Sequence, residues 1–456
     1  MLSLADKIKN NGKTYFIQTF GCQMNEHDSE TIAGMLQEAG YLESPERNTA
    51  DIIVMNTCSV RENADNRFFG QLGQIKKIKE RHPDLIVSVC GCMMQQDHII
   101  KKLKEKYSWV DIIFGTMSIH EFPQLLKDCR EKKEKVMSVY KEQESIIEGL
   151  PAMRKYPFKS FVNIMNGCNN FCTYCIVPYT RGRERSRAPE EIISEICGLV
   201  ADGVREVTLL GQNVNSYGNN ADFDCDFAEL IYRINDIEGL DRIRFMTSHP
   251  KDLSDRLIQA FADCSRLCRH IHLPVQSGSS RILKKMNRRY SKEDYLALVD
   301  RIRAAVPDIA LTTDIIVGFP GETEEDFEET LDLVRRVRYD SAFTFLYSIR
   351  TGTPAADYPD QVPDEVKHRR FEKLVDTLNA ITAEKNALYQ GKTVEVLCEG
   401  PSARGDQGTY GGRTDTFKLV NFDAPEDMTG KMVNIKITDA KTFSLFGEIA
   451  DADLQK

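Results

Sequence analysis

The sequence predicts an α/β multidomain protein with three parts: a small doubly wound parallel α/β domain, a partial (βα)6 barrel and a small C-terminal all-β barrel. Short apolar runs alternate with helix-compatible segments over residues 14–128, six further apolar runs follow in residues 157–350, and short strands alternate with turns after residue 391. The length of 456 residues agrees with this division, because domains average roughly 150 residues.

The first part is predicted over residues 13–129. Its four apolar runs are TYFIQTF, DIIVMNT, LIVSVC and DIIFGT, and polar stretches compatible with helices separate them. Such alternation is typical of a parallel sheet with helices on both faces. Residues 130–153 are rich in charge and are predicted to be a linker that contains one strand, in KVMSVY.

The central part is predicted over residues 154–390. Each of its first five apolar runs is followed by a helix-like segment, and this repeat favours a partial (βα) barrel over a flat sheet. Residues 364–390 are predicted to form one long helix that ends at Gly391. In residues 391–456, short strands separated by turns with Gly and Asp predict a barrel of about five strands.

Composition excludes some classes of protein. No uncharged apolar run approaches the roughly 18 residues that a membrane-spanning helix needs, so none is predicted. The N-terminus lacks the apolar core of a secretory signal, and a cytoplasmic location is therefore predicted. In a reducing compartment the 13 cysteines point to metal or redox chemistry rather than to disulfides.

Three closely spaced cysteines follow the first strand of the central part: Cys168, Cys172 and Cys175. Three thiolates at this spacing can bind three irons of a [4Fe–4S] cluster, which leaves the fourth iron open to a small molecule. A structural zinc site is the alternative, although zinc usually takes four ligands from paired C-x2-C motifs and the sequence has no second pair.

A second set of cysteines is spread along the first part: Cys22 follows the first strand, Cys58 the second and Cys92 the third. Because the carboxyl ends of parallel strands form the binding edge of a doubly wound sheet, the three thiols are expected to meet there. They fit a second [4Fe–4S] cluster. The alternative is that they are core residues, as is common for Cys. Cys90, inside an apolar run, is expected in the core.

Over nearly its whole length the sequence resembles the radical S-adenosylmethionine (SAM) methylthiotransferases. The cysteine loop has the spacing of radical SAM enzymes, and Tyr174 before its last cysteine is typical of them. The other matching motifs are GCQMNEHDSE (21–30), NTCSVRENA (56–64) and GCMMQQ (91–96), and the C-terminus resembles TRAM, an RNA-binding module. The resemblance implies that Cys22, Cys58 and Cys92 hold a second cluster and that SAM binds the radical cluster.

Finer motifs resemble the branch of this family that acts on N6-isopentenyladenosine at position 37 of the tRNA anticodon loop. They are CQMN, NTCSVRE, CIVPYTRGRERSR, GQNVNSY and MNRRYS. Branches that act on a ribosomal-protein aspartate or on threonylcarbamoyl-adenosine would be closer to LGCPKN or GCKVNQ at the first motif. The sequence departs from the pattern at CGCMMQQ, which has a cysteine two positions before Cys92, so Cys90 remains a rival ligand.

The resemblance implies methylthiolation of C2 of that adenosine. One SAM donates a methyl group to sulfur at the auxiliary cluster, and a second SAM is cleaved to a radical that activates the C2–H bond. Two [4Fe–4S] clusters and SAM are the implied cofactors, while tRNA, an external electron donor and a sulfur source are the implied partners. The oligomeric state is left open, with a monomer as the expectation.

Polar loops follow each strand of the predicted barrel, and active sites of such barrels lie at the carboxyl ends of the strands. The residues expected to contact SAM are Tyr174, Gln212, Asn213, Gln276 and Gly318. For each loop taken alone, the alternative is that these residues only form the turn between a strand and a helix. Two other functions stay open: methylthiolation of another tRNA adenosine or of a ribosomal protein, and iron–sulfur electron transfer or RNA binding without SAM chemistry.

The net charge of −9 argues against a nucleic-acid partner, but the basic residues are clustered. Residues 154–187 carry seven basic residues and one acid. Such a local cluster can attract the phosphates of a nucleic acid, because salt screens the acids that lie farther away. The residues predicted to bind RNA are Arg181, Arg183, Arg185, Arg187, Arg288 and Arg289, with Arg404, Tyr410, Arg413, Phe417 and Lys418 available in the TRAM region. A solvated charge run is the alternative for RGRERSR.

Overall fold

The computed structural model describes residues 12–59, 62–141, 146–402 and 408–450, and it confirms the predicted fold class. The strands of the first part are β1 (Thr14–Thr19), β2 (Leu42–Glu43), β3 (Ile52–Thr57), β4 (Ile86–Gly91), β5 (Ile112–Phe114) and β6 (Val136–Ser138). Its helices are α1 (Gln23–Glu38), α2 (Glu62–Arg81), α3 (Asp97–Lys106) and α4 (Phe122–Lys132). The six strands are parallel and form one sheet in the order β2-β1-β3-β4-β5-β6.

This sheet is covered on both faces, which is why its central strands are continuous apolar runs. Along β3, Ile52 and Val54 pack into the core on one face, while Ile53 and Met55 pack into the core on the other. The sequence does not predict β2, which has two residues and is too short to carry a pattern. The strand predicted in KVMSVY is β6, and it extends the sheet into the segment predicted as a linker.

The central part alternates strands and helices. Its strands are β7 (Lys159–Asn163), β8 (Met165–Asn166), β9 (Arg185–Ser186), β10 (Glu206–Leu210), β11 (Arg242–Phe245), β12 (His270–His272), β13 (Ala310–Val317) and β14 (Ser341–Leu346). Its helices are α5 (Val177–Thr180), α6 (Pro189–Ala201), α7 (Phe227–Asn235), α8 (Asp255–Asp263), α9 (Ser280–Lys285), α10 (Lys292–Ala305), α11 (Glu324–Val337) and α12 (Asp364–Ala387).

Six of these strands form the partial barrel. The parallel sheets β11-β10-β7 and β12-β13-β14 are joined by one bridge, between Ile243 and Leu267. The strand order is therefore β7-β10-β11-β12-β13-β14, with β7 and β14 at the edges. The short strands β8 and β9 pair with each other and bring the two ends of the cysteine loop together.

Side chains on the barrel strands alternate between the outer helices and the barrel interior, here called the lumen. On β10, Val207 and Leu209 pack with the helices, whereas Glu206 lies on the lumen side and forms an ion pair with Arg244 at 2.9 Å. On the other half of the barrel, His272 of β12 lies 3.4 Å from Asp314 of β13. The lumen is thus polar in both halves of the barrel.

The C-terminal part is a closed five-stranded barrel, as predicted. Its strands are β15 (Thr393–Pro401), β16 (Thr409–Thr414), β17 (Leu419–Asp423), β18 (Met432–Ala440) and β19 (Leu445–Ile449), in the order β15-β16-β17-β19-β18. In the described part of the chain, no helix is both long and apolar enough to span a membrane.

This C-terminal barrel docks on the amino-terminal end of the partial barrel, opposite the cysteine loop. The Phe417 ring stacks on His270 with ring centroids 5.0 Å apart, and the Arg413 guanidinium lies 4.4 Å from the centre of the same ring. Lys418 forms an ion pair with Asp340 at 3.1 Å. The basic face considered for RNA is therefore occupied by a domain contact. Arg404 lies outside the described residues.

Candidate cluster and cofactor site

The structure brings Cys22, Cys58 and Cys92 together. They follow β1, β3 and β4, which are neighbours in the sheet, so their side chains share its carboxyl edge. The Cys58 thiol hydrogen-bonds Cys22 and, with the nearby Arg181 guanidinium, lowers the pKa of Cys22 below its usual range. A thiol that ionises readily is a good metal ligand, because metals bind the thiolate.

The close approach of Cys22 and Cys58 depends on Gly21. Its φ of +119° lies in a region that other residues rarely adopt. A Cβ at this position would lie 2.3 Å from the Cβ of Cys58 and 2.7 Å from its Sγ. Glycine therefore lets the two strand ends carry their thiols into one site.

Cys90 and Cys92 have different surroundings. Cys90 is part of the apolar core beside Ile52 and Val54, and burial raises the pKa of its thiol. Cys92 lies near Cys22 and the Arg181 guanidinium, although burial raises its pKa as well. This geometry supports Cys92 over Cys90 as the third ligand.

The loop after β8 holds the second set, Cys168, Cys172 and Cys175. The backbone N–H of Cys168 donates to the carbonyl of Gly182 at 3.2 Å, and that of Cys175 donates to Cys172 at 2.9 Å. Burial, with the nearby Cys172, raises the pKa of Cys175 to about 12. Three neighbouring thiolates repel one another, so the site needs a positive partner such as an iron cluster to hold them ionised.

A single metal ion fits the described residues less well. Within ranges 12–59, 62–141, 146–402 and 408–450, no three His, Cys, Asp or Glu side chains are placed to hold one ion. In a [4Fe–4S] cluster each thiolate binds its own iron, so the three sulfur atoms do not converge on one point. The donor chemistry of both cysteine sets fits that larger group.

One buried arginine lies beside each cysteine set. Arg181 donates to Asp28 of α1 at 2.7 Å, and both side chains are about nine-tenths buried. Arg288 donates to the Sγ of Cys172 at 3.5 Å and to the carbonyl of Pro274 at 2.7 Å. These placements differ from the prediction that both arginines bind RNA, because each guanidinium donates its hydrogen bonds to groups inside the protein.

The Arg181–Asp28 pair joins the two domains, and its removal is expected to be costly. Arg181→Met leaves a buried carboxylate unpaired, and we expect a loss of about 3–5 kcal/mol in the free energy of unfolding. Urea denaturation followed by circular dichroism measures this loss. The double variant Arg181→Met/Asp28→Asn should lose clearly less than the sum of the single variants. Additive losses would contradict a direct ion pair.

Arg288 is expected to tune the cluster site rather than the fold alone. Loss of its N–H···S hydrogen bond and positive charge should make the midpoint potential of the radical cluster more negative in Arg288→Gln. SAM cleavage should fall about 10–100-fold. Redox titration followed by electron paramagnetic resonance checks the potential. Arg289→Gln, at the exposed neighbour, is the control, and equal potentials in both variants would refute this role.

The other predicted RNA-binding residues divide by exposure. Arg187 is buried and pairs with Glu148 and with Glu195, the latter at 2.7 Å, so its charge is used internally. Arg183 and Arg289 are exposed, while Arg185 is half-buried. RNA contact stays a prediction for these last three.

The residues predicted to contact SAM have diverse surroundings. Gln212 accepts a hydrogen bond from the backbone N–H of Gly167, directly before Cys168. The side-chain NH2 of Asn213 donates to Asp252 at 2.7 Å, and its side-chain oxygen accepts from the backbone N–H of His249. Gln276 is buried with a φ of +71°, an unusual backbone for a residue other than glycine. Such strain is often found at functional sites.

Tyr174 and Gly318 lie at the same end of the barrel. The Tyr174 ring packs edge-on against Phe319 with centroids 6.5 Å apart. A Cβ on Gly318 would lie 2.3 Å from Cγ of Lys367, so close packing against α12 explains this glycine by itself. SAM contact stays a prediction for all five residues.

Several buried polar atoms at the carboxyl ends of the strands have no hydrogen-bond partner among the described residues. They are Asn163 Oδ1, Asn215 Oδ1, Ser248 Oγ, His249 Nε2 and Tyr347 Oη. Buried polar groups normally have partners, so these atoms fit a polar ligand such as SAM at this end of the barrel. The sequence signal was a polar residue at the end of an apolar strand run or within a few positions after it.

Three family models match the chain. Residues 14–115 match "Uncharacterized protein family UPF0004", residues 162–334 match "Radical SAM superfamily" and residues 387–450 match "TRAM domain". The matches fall on the sheet with Cys22, Cys58 and Cys92, on the partial barrel and on the C-terminal barrel.

Three proteins of similar sequence carry the name tRNA-2-methylthio-N(6)-dimethylallyladenosine synthase. The protein from Clostridium botulinum is 58% identical and covers 95% of this chain and 96% of its own. That from Alkaliphilus oremlandii is 56% identical over 97% of this chain and 94% of its own. A Thermoanaerobacter protein is 54% identical over 99% and 96%.

A solved structure resembles most of the fold. It is the radical S-adenosylmethionine methyltransferase TsrM from Kitasatospora setae, with a TM-score of 0.56 over 86% of this chain and 79% of that chain. The sequence identity of 14% means that this likeness concerns the fold alone.

Proposed function

The chain belongs to the family of radical SAM tRNA-2-methylthio-N(6)-dimethylallyladenosine synthases, and from this we propose that it methylthiolates C2 of N6-isopentenyladenosine at position 37 of tRNA. As a member, it is an enzyme whose cofactors are [4Fe–4S] clusters and SAM. We propose that Cys168, Cys172 and Cys175 hold the radical cluster and that Cys22, Cys58 and Cys92 hold the auxiliary cluster.

The observation that carries this proposal is the contact between the two cysteine sets. Arg181 follows Cys175 by six residues and pairs at 2.7 Å with Asp28 of the neighbouring domain, which itself follows Cys22 by six residues. Six residues span at most about 20 Å even when extended, so the two sites are close enough to serve one substrate. The N-terminal domain is tied to the loop a second time, because Thr116 donates to the carbonyl of Thr180 at 2.9 Å.

The need for two sites follows from the substrate. The C2–H bond of adenine offers neither an acidic proton nor a leaving group, and the bound clusters and SAM supply the radical, methyl and sulfur chemistry. The protein places these groups. Arg181 and Arg288 balance the thiolate charge, and the unpartnered atoms of Asn163 and His249 lie at the SAM end of the barrel.

His249 is proposed to act as a hydrogen-bond donor there. Burial and the nearby Arg288 lower its pKa well below the usual range, so the ring is neutral. Its Nδ1 accepts from the backbone N–H of Lys251 at 3.3 Å, and the ring hydrogen is therefore assigned to Nε2. A neutral donor can bind a polar ligand atom without adding charge near the thiolates.

The tRNA is proposed to approach at the carboxyl ends of the barrel strands. Arg183 and Arg289 are exposed there, on the cysteine loop and after α9, and phosphates favour such local positive charge. We further propose an external electron donor and sulfur source, a monomeric state and a cytoplasmic location.

An assay with purified components tests the proposal. The anaerobically reconstituted protein is incubated with SAM, reductant, sulfide and tRNA that carries isopentenyladenosine 37. We expect 2-methylthio-isopentenyladenosine and 5′-deoxyadenosine. Deoxyadenosine without the methylthio product on this tRNA would refute the substrate assignment, and absence of both would refute radical SAM chemistry.

A further inference from the structure

The edge strand β14 carries two exposed aromatic side chains. Phe343 and Phe345 are 50% and 39% exposed, although a strand of a barrel normally buries its large apolar residues. The intervening Ala342 packs with the outer helices, so the alternation of the strand directs both rings away from them. Phe343 and Phe345 therefore lie on the lumen side, and they are here called the aromatic wall.

Contacts with the other two strands of the same sheet support this orientation. The ring of Phe343 lies edge-on to His272 of β12, with ring centroids 5.9 Å apart. His272 is on the lumen side, since its neighbours Ile271 and Leu273 pack with the outer helices. Phe345 is paired with Ile316 of β13. The wall thus continues the lumen surface of β12 and β13.

The aromatic wall is next to the predicted cofactor site. The backbone N–H of Ile316, the partner of Phe345, donates to the carbonyl of Gln276 at 2.9 Å. Beyond β14, the N–H of Ala355 donates at 2.9 Å to the carbonyl of Thr173, between two cysteines of the loop. A ligand on the wall would therefore lie beside the radical cluster site.

The chemistry of the wall selects a ligand. Two aromatic rings favour a ligand with a flat ring that can stack on them. They also favour an apolar group on that ligand, because its burial removes apolar surface from water. At the base of the wall, Asp314 and His272 add a polar pair, 3.4 Å apart, that can meet ring nitrogens. A purine with a branched hydrocarbon substituent has both properties, whereas a bare adenine has only the first.

We propose that Phe343 and Phe345 recognise the isopentenyl-bearing adenine and set the preference for prenylated over unprenylated tRNA. This inference rests on the proposed function and names residues that determine its specificity. A missing hydrocarbon group changes discrimination by about 10–200-fold for each methylene in a well-formed pocket. A wall exposed on one side should give a preference toward the lower end of that range.

Competition binding tests the inference. The reconstituted protein is offered tRNA with isopentenyladenosine 37 and the same tRNA with adenosine 37, and the ratio of the two Kd values is measured. We expect wild type to favour the prenylated tRNA by about 10-fold or more, and Phe343→Ala/Phe345→Ala to bind both nearly equally. Phe343→Leu/Phe345→Leu should restore most of the preference, because the wall stays apolar.

Controls separate this role from a structural one. Phe443→Ala removes a ring that is 73% exposed on the C-terminal barrel and should leave the Kd ratio unchanged. Iron content and the circular dichroism spectrum should be unchanged in the alanine variant, which would show that its fold and clusters are intact. An unchanged Kd ratio in the alanine variant would overturn the inference. The proposed function would still stand in that case if the wild-type protein methylthiolates the prenylated tRNA. A change only in self-association, seen by sedimentation, would assign the wall to a protein contact and also overturn it.

Discussion

Cys172→Ala is expected to abolish SAM cleavage while leaving the N-terminal cluster in place. Cys172 is buried, hydrogen-bonds Arg288 and lies between the other two cysteines of the loop, so its loss removes one of three iron ligands. The iron content should fall from about eight to about four per chain, since each [4Fe–4S] cluster holds four. Formation of 5′-deoxyadenosine, measured by mass spectrometry, should become undetectable.

The control for this variant is Cys197→Ala. Cys197 is exposed on α6 and far from both sets along the chain, so iron content and SAM cleavage should match wild type. Deoxyadenosine formation that survives in Cys172→Ala would show that the loop is not the radical site. An iron content of about four in wild type would exclude the second cluster.

Cys92→Ala is expected to separate the two halves of the reaction. Loss of this ligand should remove the auxiliary cluster and stop formation of the methylthio product, whereas SAM cleavage at the barrel should continue. The matched variant is Cys90→Ala, two residues earlier on β4. Because Cys90 packs in the apolar core, that change should lower the free energy of unfolding by about 1 kcal/mol and keep about eight irons.

The comparison between these two variants decides which cysteine binds iron. Iron, sulfide and tRNA product are measured on the same preparations. If Cys90→Ala loses about four irons and Cys92→Ala keeps them, the ligand assignment is reversed. If both keep all irons, neither cysteine is a ligand and the auxiliary site lies elsewhere.

Much of the fold can be predicted from local patterns. Strands β3 and β4 are long apolar runs because helices cover both faces of the sheet. In the partial barrel, the sequence shows a repeated pattern because an apolar strand is followed by an amphipathic helix. The strand β2 could not be predicted, since two residues carry no periodicity. The sequence also left open how the barrels dock, which depends on contacts such as Phe417 on His270 between distant residues.

The cysteines were predictable for a different reason than the residues around them. Thiols at strand ends converge once the sheet is parallel, so order along the chain is enough. Arg181 and Arg183 are two residues apart in one basic run, yet Arg181 is buried against Asp28 and Arg183 is exposed. The docking of the N-terminal domain decides which arginine pairs with a carboxylate. The number of charges in the run cannot predict this.

The same reason explains the aromatic wall. Phe343 and Phe345 lie in an apolar run that predicts a strand, and such a run normally indicates burial on both faces. Only the position of β14 at the edge of the partial barrel leaves their lumen side exposed. Edge position follows from the topology of the whole barrel and not from any local pattern.

The most direct measurement is nucleoside mass spectrometry of tRNA from cells that lack this protein. We expect 2-methylthio-isopentenyladenosine to disappear and isopentenyladenosine to accumulate, and we expect the wild-type chain, but not Cys172→Ala, to restore the modification. Unchanged 2-methylthio-isopentenyladenosine in the deficient cells would contradict the proposed function.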